Sequence, residues 1–99
     1  MSNEKFTVLA RIKAASGKEE ELCGILTALV PLTRTEEGCI SYDLHRAQED
    51  PALFFFCENW RSKKDLDDHF ATPYLQAFLG KAPELLAEPP DITFWNRIE

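Results

Sequence analysis

The sequence predicts one α+β domain over residues 1–99, a ferredoxin-like split βαβ fold with a four-stranded antiparallel sheet. Strand and helix periodicities alternate in the order strand, helix, strand, strand, helices, strand. The third strand segment is apolar on both faces, which is typical of a central, covered strand. With 44% hydrophobic residues, a chain of 99 residues can enclose one core but not two.

The first two elements are a strand and a helix. Residues 5–13 alternate between apolar and polar side chains, which predicts the strand. Ser16 and Glu19 have the spacing of a capping box, so we expect the first helix to begin there. Pro31 should bend this helix unless its last turn restarts at that residue, and Gly38 is expected to end it.

A hairpin is predicted from residues 39–47 and 52–60, which the turn residues 48–51 separate. The side chains of its second strand alternate between two faces. One face carries Phe54, Phe56, Glu58 and Trp60, and the other carries Leu53, Phe55, Cys57 and Asn59. Because both faces are largely apolar, we expect this strand to lie at the centre of the sheet.

Two more helical segments and a last strand complete the predicted fold. Ser62 is a suitable cap for a short helix, whose periodicity places His69 on the inner face. Thr72 and Pro73 suit the cap and the first position of the next helix. The prolines at 89–90 end that helix, and alternation over residues 91–98 predicts the last strand.

The two apolar faces of the sheet also predict an assembly. Helices can cover only one face of a sheet with this connectivity, so the other apolar face needs a different cover. A second copy of the same sheet is the simplest one, because most soluble oligomers are symmetric pairs of identical chains. We therefore expect a homodimer.

Composition excludes several classes of function. The 11 basic residues are outnumbered by 17 acidic ones, a net charge of −6, which disfavours binding to nucleic acid or to anionic membranes. No apolar run approaches the ~18 residues of a membrane span, and no signal core is visible, so a cytoplasmic location is expected. The odd set of Cys23, Cys39 and Cys57 predicts packing residues and neither disulfides nor a metal site.

The candidate site lies on the aromatic strand and the helices after it. His69 is the candidate general base, since an imidazole exchanges protons near neutral pH. Glu58 is the second candidate catalytic residue, either orienting His69 or binding a substrate hydroxyl. Tyr74 can hydrogen-bond a phenolic oxygen. The aromatic residues expected to wall the substrate slot are Trp60, Phe54, Phe56 and Phe78.

Each of these residues also has a purely structural interpretation. An inward histidine on a short helix can be a hydrogen-bonded core residue. A buried glutamate can tie a strand end to a helix N-terminus. Tryptophan and phenylalanine on a central strand are core residues before they are pocket walls.

Short motifs along the chain resemble one family. They are Glu37-Gly38-Cys39 followed by Tyr42, then Glu58-x-Trp60, then His69-x-x-Thr72-Pro73-Tyr74. This ordered set is similar to the antibiotic biosynthesis monooxygenase domain, especially its small quinol monooxygenase-like members. The resemblance covers nearly the whole chain. One departure is Tyr74, since quinol-oxidising relatives often carry a second histidine at that position.

The resemblance implies a dimeric α+β barrel in which each subunit holds a pocket between sheet and helices. It also implies oxidation of a quinol or polycyclic phenol with O₂ as co-substrate and with no flavin, haem or metal cofactor. Such chemistry needs a base that ionises the phenol and a dry aromatic slot. His69 and the aromatic residues expected around it are compatible with this need. Deprotonation makes a phenol electron-rich enough to react with O₂.

Two other functions stay open. One is isomerisation of a small oxygenated metabolite with or without a phosphate group. Arg11, Arg46 and Arg97 are the strand cations that could bind such a phosphate. The other is a non-catalytic ligand-binding dimer. Haem degradation, which occurs in the same superfamily, is disfavoured. The helix position that is similar to the haem-ligating histidine of those enzymes carries Phe78 in this chain.

Overall fold

Four strands and three helices follow one another in the predicted order in the computed structural model, which describes residues 4–99. The elements are β1 (Phe6–Lys13), α1 (Glu19–Arg34), β2 (Cys39–Arg46), β3 (Leu53–Trp60), α2 (Lys63–Phe70), α3 (Pro73–Leu85) and β4 (Asp91–Trp95). All strand pairs are antiparallel, and the sheet order is β2-β3-β1-β4. The ferredoxin-like prediction, with the first and third strands central, is therefore confirmed.

The alternation predicted for β3 is also confirmed. Every second residue of the strand is buried, and the residues between them are half-buried. The register aligns Glu58 with Val8 on one side and with Tyr42 on the other. These three side chains consequently share one row on the same face of the sheet.

The helices cover that face and form the core with it. Leu22, Leu26 and Leu29 of α1 are buried together with Val8 and Phe54 of the central strands. Fully burying one such side chain contributes about 1.5–3 kcal/mol to folding. The helices are thus held against one face of the sheet by a continuous apolar contact.

The start of α1 differs from the prediction. The helix begins at Glu19 with Lys18 as its cap residue, and no side chain caps it. Gly17 has a φ of 84°, and this left-handed turn leaves Ser16 outside the helix. The expected Ser16 cap was therefore wrong, although the Glu19 carboxylate does accept a bond from the Gly17 N–H at 3.4 Å.

The end of α1 corrects the interpretation of Gly38. The helix runs through Pro31 to Arg34, so Gly38 is not its stop residue. Gly38 is buried, and a Cβ atom placed there would lie 2.0 Å from Cγ of Asp65 in α2. This glycine is needed because α2 packs directly against the backbone before β2.

The helix signals after β3 behave as predicted, but the last strand is shorter. Ser62 accepts a bond from the Asp65 N–H, and Thr72 accepts one from the Leu75 N–H. The last strand ends at Trp95 instead of residue 98, and Ile98 is 99% exposed. Within residues 4–99, no helix has the length and apolar character required to cross a bilayer.

Candidate active site

A small cavity lies between the helix-covered face of the sheet and helices α2 and α3. Its volume is about 40 Å³. This is enough for a few water molecules, since one water needs roughly 10–15 Å³. The polar residues of its lining are Tyr42, Glu58 and His69. The apolar ones are Val8, Ala10, Ile12, Leu29, Phe56, Phe70, Leu75, Phe78, Leu79, Pro90 and Ile92.

His69 is fixed by a carboxylate that sequence reasoning missed. Its side chain is 3% exposed, and its Nδ1 lies 2.9 Å from Oε2 of Glu36, in the segment between α1 and β2. Because a carboxylate only accepts, the neutral ring carries its proton on Nδ1 and leaves the lone pair of Nε2 free. Within residues 4–99, Nε2 has no hydrogen-bond partner.

Glu36 also accepts a hydrogen bond from Tyr74. The Tyr74 hydroxyl donates to the same Oε2 atom that binds His69. Burial, this hydrogen bond and the negative charge of Glu36 together raise the pKa of Tyr74 to about 12. Tyr74 therefore stays protonated and donates a hydrogen bond to Glu36. It does not line the cavity.

Glu58 occupies the cavity without a cationic partner. It is 5% exposed, and Oε1 accepts a hydrogen bond from Trp60 Nε1 at 2.9 Å. Burial raises its pKa to about 7; the Trp60 N–H opposes this shift and the charge of Glu36 adds to it. At neutral pH, a large fraction of Glu58 is consequently an uncharged carboxylic acid.

Aromatic rings hold the imidazole in place. The His69 ring lies 4.8 Å from the Trp60 ring centroid and meets Tyr42 edge-on at 5.5 Å. Tyr42 in turn packs on Phe56 at 4.6 Å. Burial raises the pKa of Tyr42 well above its usual range, so its hydroxyl remains a donor.

The structure brings only some of the predicted residues to one place. His69, Glu58, Phe56 and Phe78 line the cavity. Trp60 is completely buried behind Glu58 and outside the lining. Phe54 also lies outside it, with the Arg46 guanidinium 4.7 Å above its ring.

Among the described residues, the lysines and arginines lie outside the cavity, and the thiol of Cys39 is unreactive. No lysine or arginine lines the cavity. Arg11 pairs with Glu88 at 2.9 Å, and Arg46 pairs with Glu20 at 3.1 Å. Burial raises the pKa of Cys39 to about 11, and the nearby glutamates add to this, so its thiol stays protonated. Residues 4–99 contain no cluster of three or more potential metal ligands.

Comparisons with known proteins find relatives that are similar in sequence and in fold. The family model described as antibiotic biosynthesis monooxygenase matches residues 5–81. The chain is 35% identical to uncharacterized protein sll1783 of Synechocystis sp., over 99% of this chain and 67% of that protein. It is 34% identical to Rv0793 of Mycobacterium tuberculosis, whose name reads "Putative monooxygenase", over 87% of this chain and 84% of that one.

The solved structure of PA3566 from Pseudomonas aeruginosa superposes with a TM-score of 0.93 at 34% sequence identity. That superposition covers 100% of this chain and 99% of the other. The structure of Rv0793 gives a TM-score of 0.90 at 28% identity and covers 97% of each chain. Rv0793 is therefore similar to this chain both in sequence and in fold.

Proposed function

The chain belongs to the antibiotic biosynthesis monooxygenase family, and on that premise we propose that it oxidises a quinol or polycyclic phenol with O₂ and without a cofactor. The family match and the relative named as a monooxygenase support an oxidoreductase at the family level. The observation that carries the finer proposal is the His69–Glu36 pair at an apolar cavity, with the Nε2 lone pair free.

The pair has the parts of a general base. His69 takes the phenolic proton on Nε2, and Glu36 balances the charge of the resulting imidazolium through Nδ1. The phenolate gives one electron to O₂, and the radical and superoxide then combine at a ring carbon that carries hydrogen. Overall, a phenol and O₂ yield a quinone and water, so one oxygen atom enters each product.

The walls of the cavity favour this chemistry. Apolar and aromatic side chains exclude water, which would otherwise solvate the phenolate and lower its reactivity. Ligand pockets commonly measure about 300 Å³ or more, so a phenol must widen the cavity of about 40 Å³. The half-buried lining residues Phe70, Leu79, Pro90 and Ile92 are the walls that open in our proposal.

The absence of cations argues against a phosphorylated substrate. Phosphate recognition normally uses arginine or lysine, and no such side chain of the described chain lines the cavity. Arg11 and Arg46 are paired with glutamates, and Arg97 is exposed beyond β4. The geometry therefore favours oxidation of a neutral phenol over isomerisation of a phosphorylated metabolite.

The proposed assembly is the homodimer in which two sheets face each other. The face of the sheet without helices carries the half-buried Leu9, Leu53 and Phe55, and Trp95 at its edge is 54% exposed. A second copy seated there would remove these side chains from water.

The proposed function is tested by absorbance spectroscopy and oxygen uptake. The purified protein should be colourless and should consume O₂ with at least one member of a panel of hydroquinones and polycyclic phenols. Mass spectrometry with ¹⁸O₂ should then find one labelled atom in the quinone. A bound flavin or haem chromophore, or no uptake with any panel member, would contradict the proposal. Binding of a phenol without uptake would instead indicate a ligand-binding protein.

A further inference from the structure

Glu58 is a polar group in the cavity that the proposed base does not use. Its Oε1 is occupied by the Trp60 N–H, whereas Oε2 has no hydrogen-bond partner within residues 4–99. Because Glu58 lines the cavity opposite the helices, Oε2 is the atom available to a bound molecule. The strand register fixes its position, since Glu58 pairs with Tyr42 on one side and Val8 on the other.

The surroundings of Glu58 favour its uncharged form. Glu36 from the segment before β2, Tyr42 and Cys39 from β2, and His69 from α2 are the titratable groups around it. None of them is a cation while His69 is neutral. Trp60 donates to Oε1, so the carboxylic proton belongs on Oε2, where it can be transferred into the cavity.

We propose that Glu58 is the general acid that protonates the peroxide formed when O₂ adds to the substrate, which rests on the proposed oxygenase function. The assignment stands on three features: a buried carboxyl group, one oxygen fixed by Trp60, and the other oxygen free in the cavity that holds the base. Two titratable groups with opposing environments at one site are the usual acid and base of an enzyme.

The proton inventory of the reaction requires such a second group. After the first step, the phenolic proton is on His69 and the adduct is a peroxide anion. Glu58 gives its proton to the outer peroxide oxygen. The ring C–H bond then breaks, its proton goes to the Glu58 carboxylate, and its electron pair forms the new C=O bond as the O–O bond breaks. The departing hydroxide takes the proton from His69 and leaves as water, so both residues return to their starting states.

The test compares Glu58→Gln with the control Glu88→Gln. Glutamine keeps an oxygen to accept the Trp60 N–H but cannot donate an acidic proton, so the fold should be retained. Glu88 is 51% exposed and pairs with Arg11 away from the cavity. With a substrate found in the uptake panel, Glu58→Gln should lower kcat by roughly 10²–10⁴-fold. Most of the O₂ that it consumes should appear as superoxide and H₂O₂, because an unprotonated adduct reverts, whereas Glu88→Gln should form water as the wild type does.

Two outcomes overturn the inference separately from the proposed function. If the wild type consumes O₂ and Glu58→Gln still forms water with wild-type efficiency, Glu58 is not the acid and the oxygenase function stands. If the wild type consumes no O₂ with any substrate, the function fails and the role of Glu58 fails with it. Infrared spectroscopy gives a readout without turnover: below about pH 7, the wild type should show a carboxylic acid C=O band that Glu58→Gln lacks. Absence of that band also overturns the inference, even if the variant does not fold.

Discussion

At the scale of single residues, the candidate site depends on one carboxylate that serves two donors. The same oxygen of Glu36 accepts from His69 Nδ1 and from the Tyr74 hydroxyl. The first bond sets the histidine tautomer, and the second fixes the position of the carboxylate. In the proposed mechanism, Glu36 therefore keeps the His69 ring oriented so that Nε2 can accept the proton.

Replacing His69 tests the base directly. His69→Ala should lower kcat/KM by roughly 10²–10⁴-fold, the usual loss for a general base. The variant should recover activity at high pH, where the substrate ionises without help. His45→Ala is the matched control, since His45 is the other histidine and is exposed on β2. A destabilised His69→Ala that keeps wild-type turnover per folded molecule would mean a purely structural histidine.

Replacing Glu36 tests the orientation of that base. Glu36→Gln removes the negative charge and can reverse the tautomer, so kcat/KM should fall at least about tenfold, toward the ~10⁴-fold loss known for the equivalent change in serine proteases. The control is Glu37→Gln, because the adjacent Glu37 side chain is 86% exposed and contacts Arg61. Steady-state kinetics should show the loss in kcat more than in KM. Equal rates for the two variants would remove Glu36 from the mechanism.

Glu58 should make stability depend on pH. Its pKa is raised from 4.5 to about 7 in the folded chain, so the folded state binds the proton more tightly than the unfolded state. The resulting stabilisation is complete below about pH 4.5 and is lost as pH rises through about 7, amounting to about 3 kcal/mol. Urea unfolding should show this loss between about pH 4.5 and about pH 7 in the wild type but not in Glu58→Gln. Parallel pH profiles for the two proteins would contradict it.

The sequence could predict that His69 and Glu58 face inward because each lies at a fixed place within a periodic element. Strand alternation buries Glu58, and helix spacing turns His69 inward. Glu36 could not be identified in this way. It lies outside any helix or strand and 33 residues from His69, so only the packing of α2 against the preceding loop brings the two together. The pocket walls had the same difficulty, because Phe54 and Phe56 share a face and only tertiary contacts distinguish them.

At the scale of secondary structure, the contact between α2 and the backbone at Gly38 positions His69, the proposed base. Asp65 packs on Gly38 and accepts hydrogen bonds from Arg61 and Ser62, one helical turn before His69. Arg61 also donates its backbone N–H to the Gly38 carbonyl and its guanidinium to Glu37, so the start of α2 is tied to the segment before β2. The end of α1, the start of β2 and helix α2 are therefore held as one unit.

Gly38→Ala should disrupt this unit. The new Cβ would lie 2.0 Å from Asp65 Cγ, so α2 must shift, at a cost of roughly 1–3 kcal/mol. Activity should also fall, because the shift moves His69 relative to the cavity. Gly24→Ala is the matched control: Gly24 lies within α1 with no atom within 4 Å of the added methyl, and the change should stabilise by about 0.5–1 kcal/mol. Thermal melting measures both, and a neutral Gly38→Ala would disprove the close packing.

The element boundaries show what local signals can and cannot predict. Ser62 and Thr72 cap their helices as expected, because both signals act within one turn. Ser16 fails because Gly17 turns the chain before the helix starts. Gly38 resembles a helix stop in sequence, yet its role depends on Asp65, which is 27 residues away and belongs to another element.

At the scale of the whole molecule, the sheet divides the chain into a covered face and an open one. The covered face holds the core and the cavity. On the open face, Leu9, Phe55 and Cys57 from the central strands lie next to one another and are half-buried at most. The two-sided apolar pattern of β3 is the sequence signal for this division.

The homodimer prediction follows from that open face. Light scattering at micromolar concentration should give about twice the chain mass of 11.3 kDa. Phe55→Lys places a charge at the centre of the proposed interface in both subunits, and losing the burial of one such ring costs about 1.5–3 kcal/mol per copy. This variant should therefore dissociate into folded monomers. Leu32→Lys is the control, since Leu32 is 45% exposed on α1, on the helical side of the sheet, and its variant should stay dimeric.

The fluorescence of Trp95 adds a local readout, because its ring is 54% exposed in one chain and would become buried in the pair, whereas Trp60 is already buried. A strictly monomeric wild type would contradict the prediction and leave the apolar face without its proposed cover.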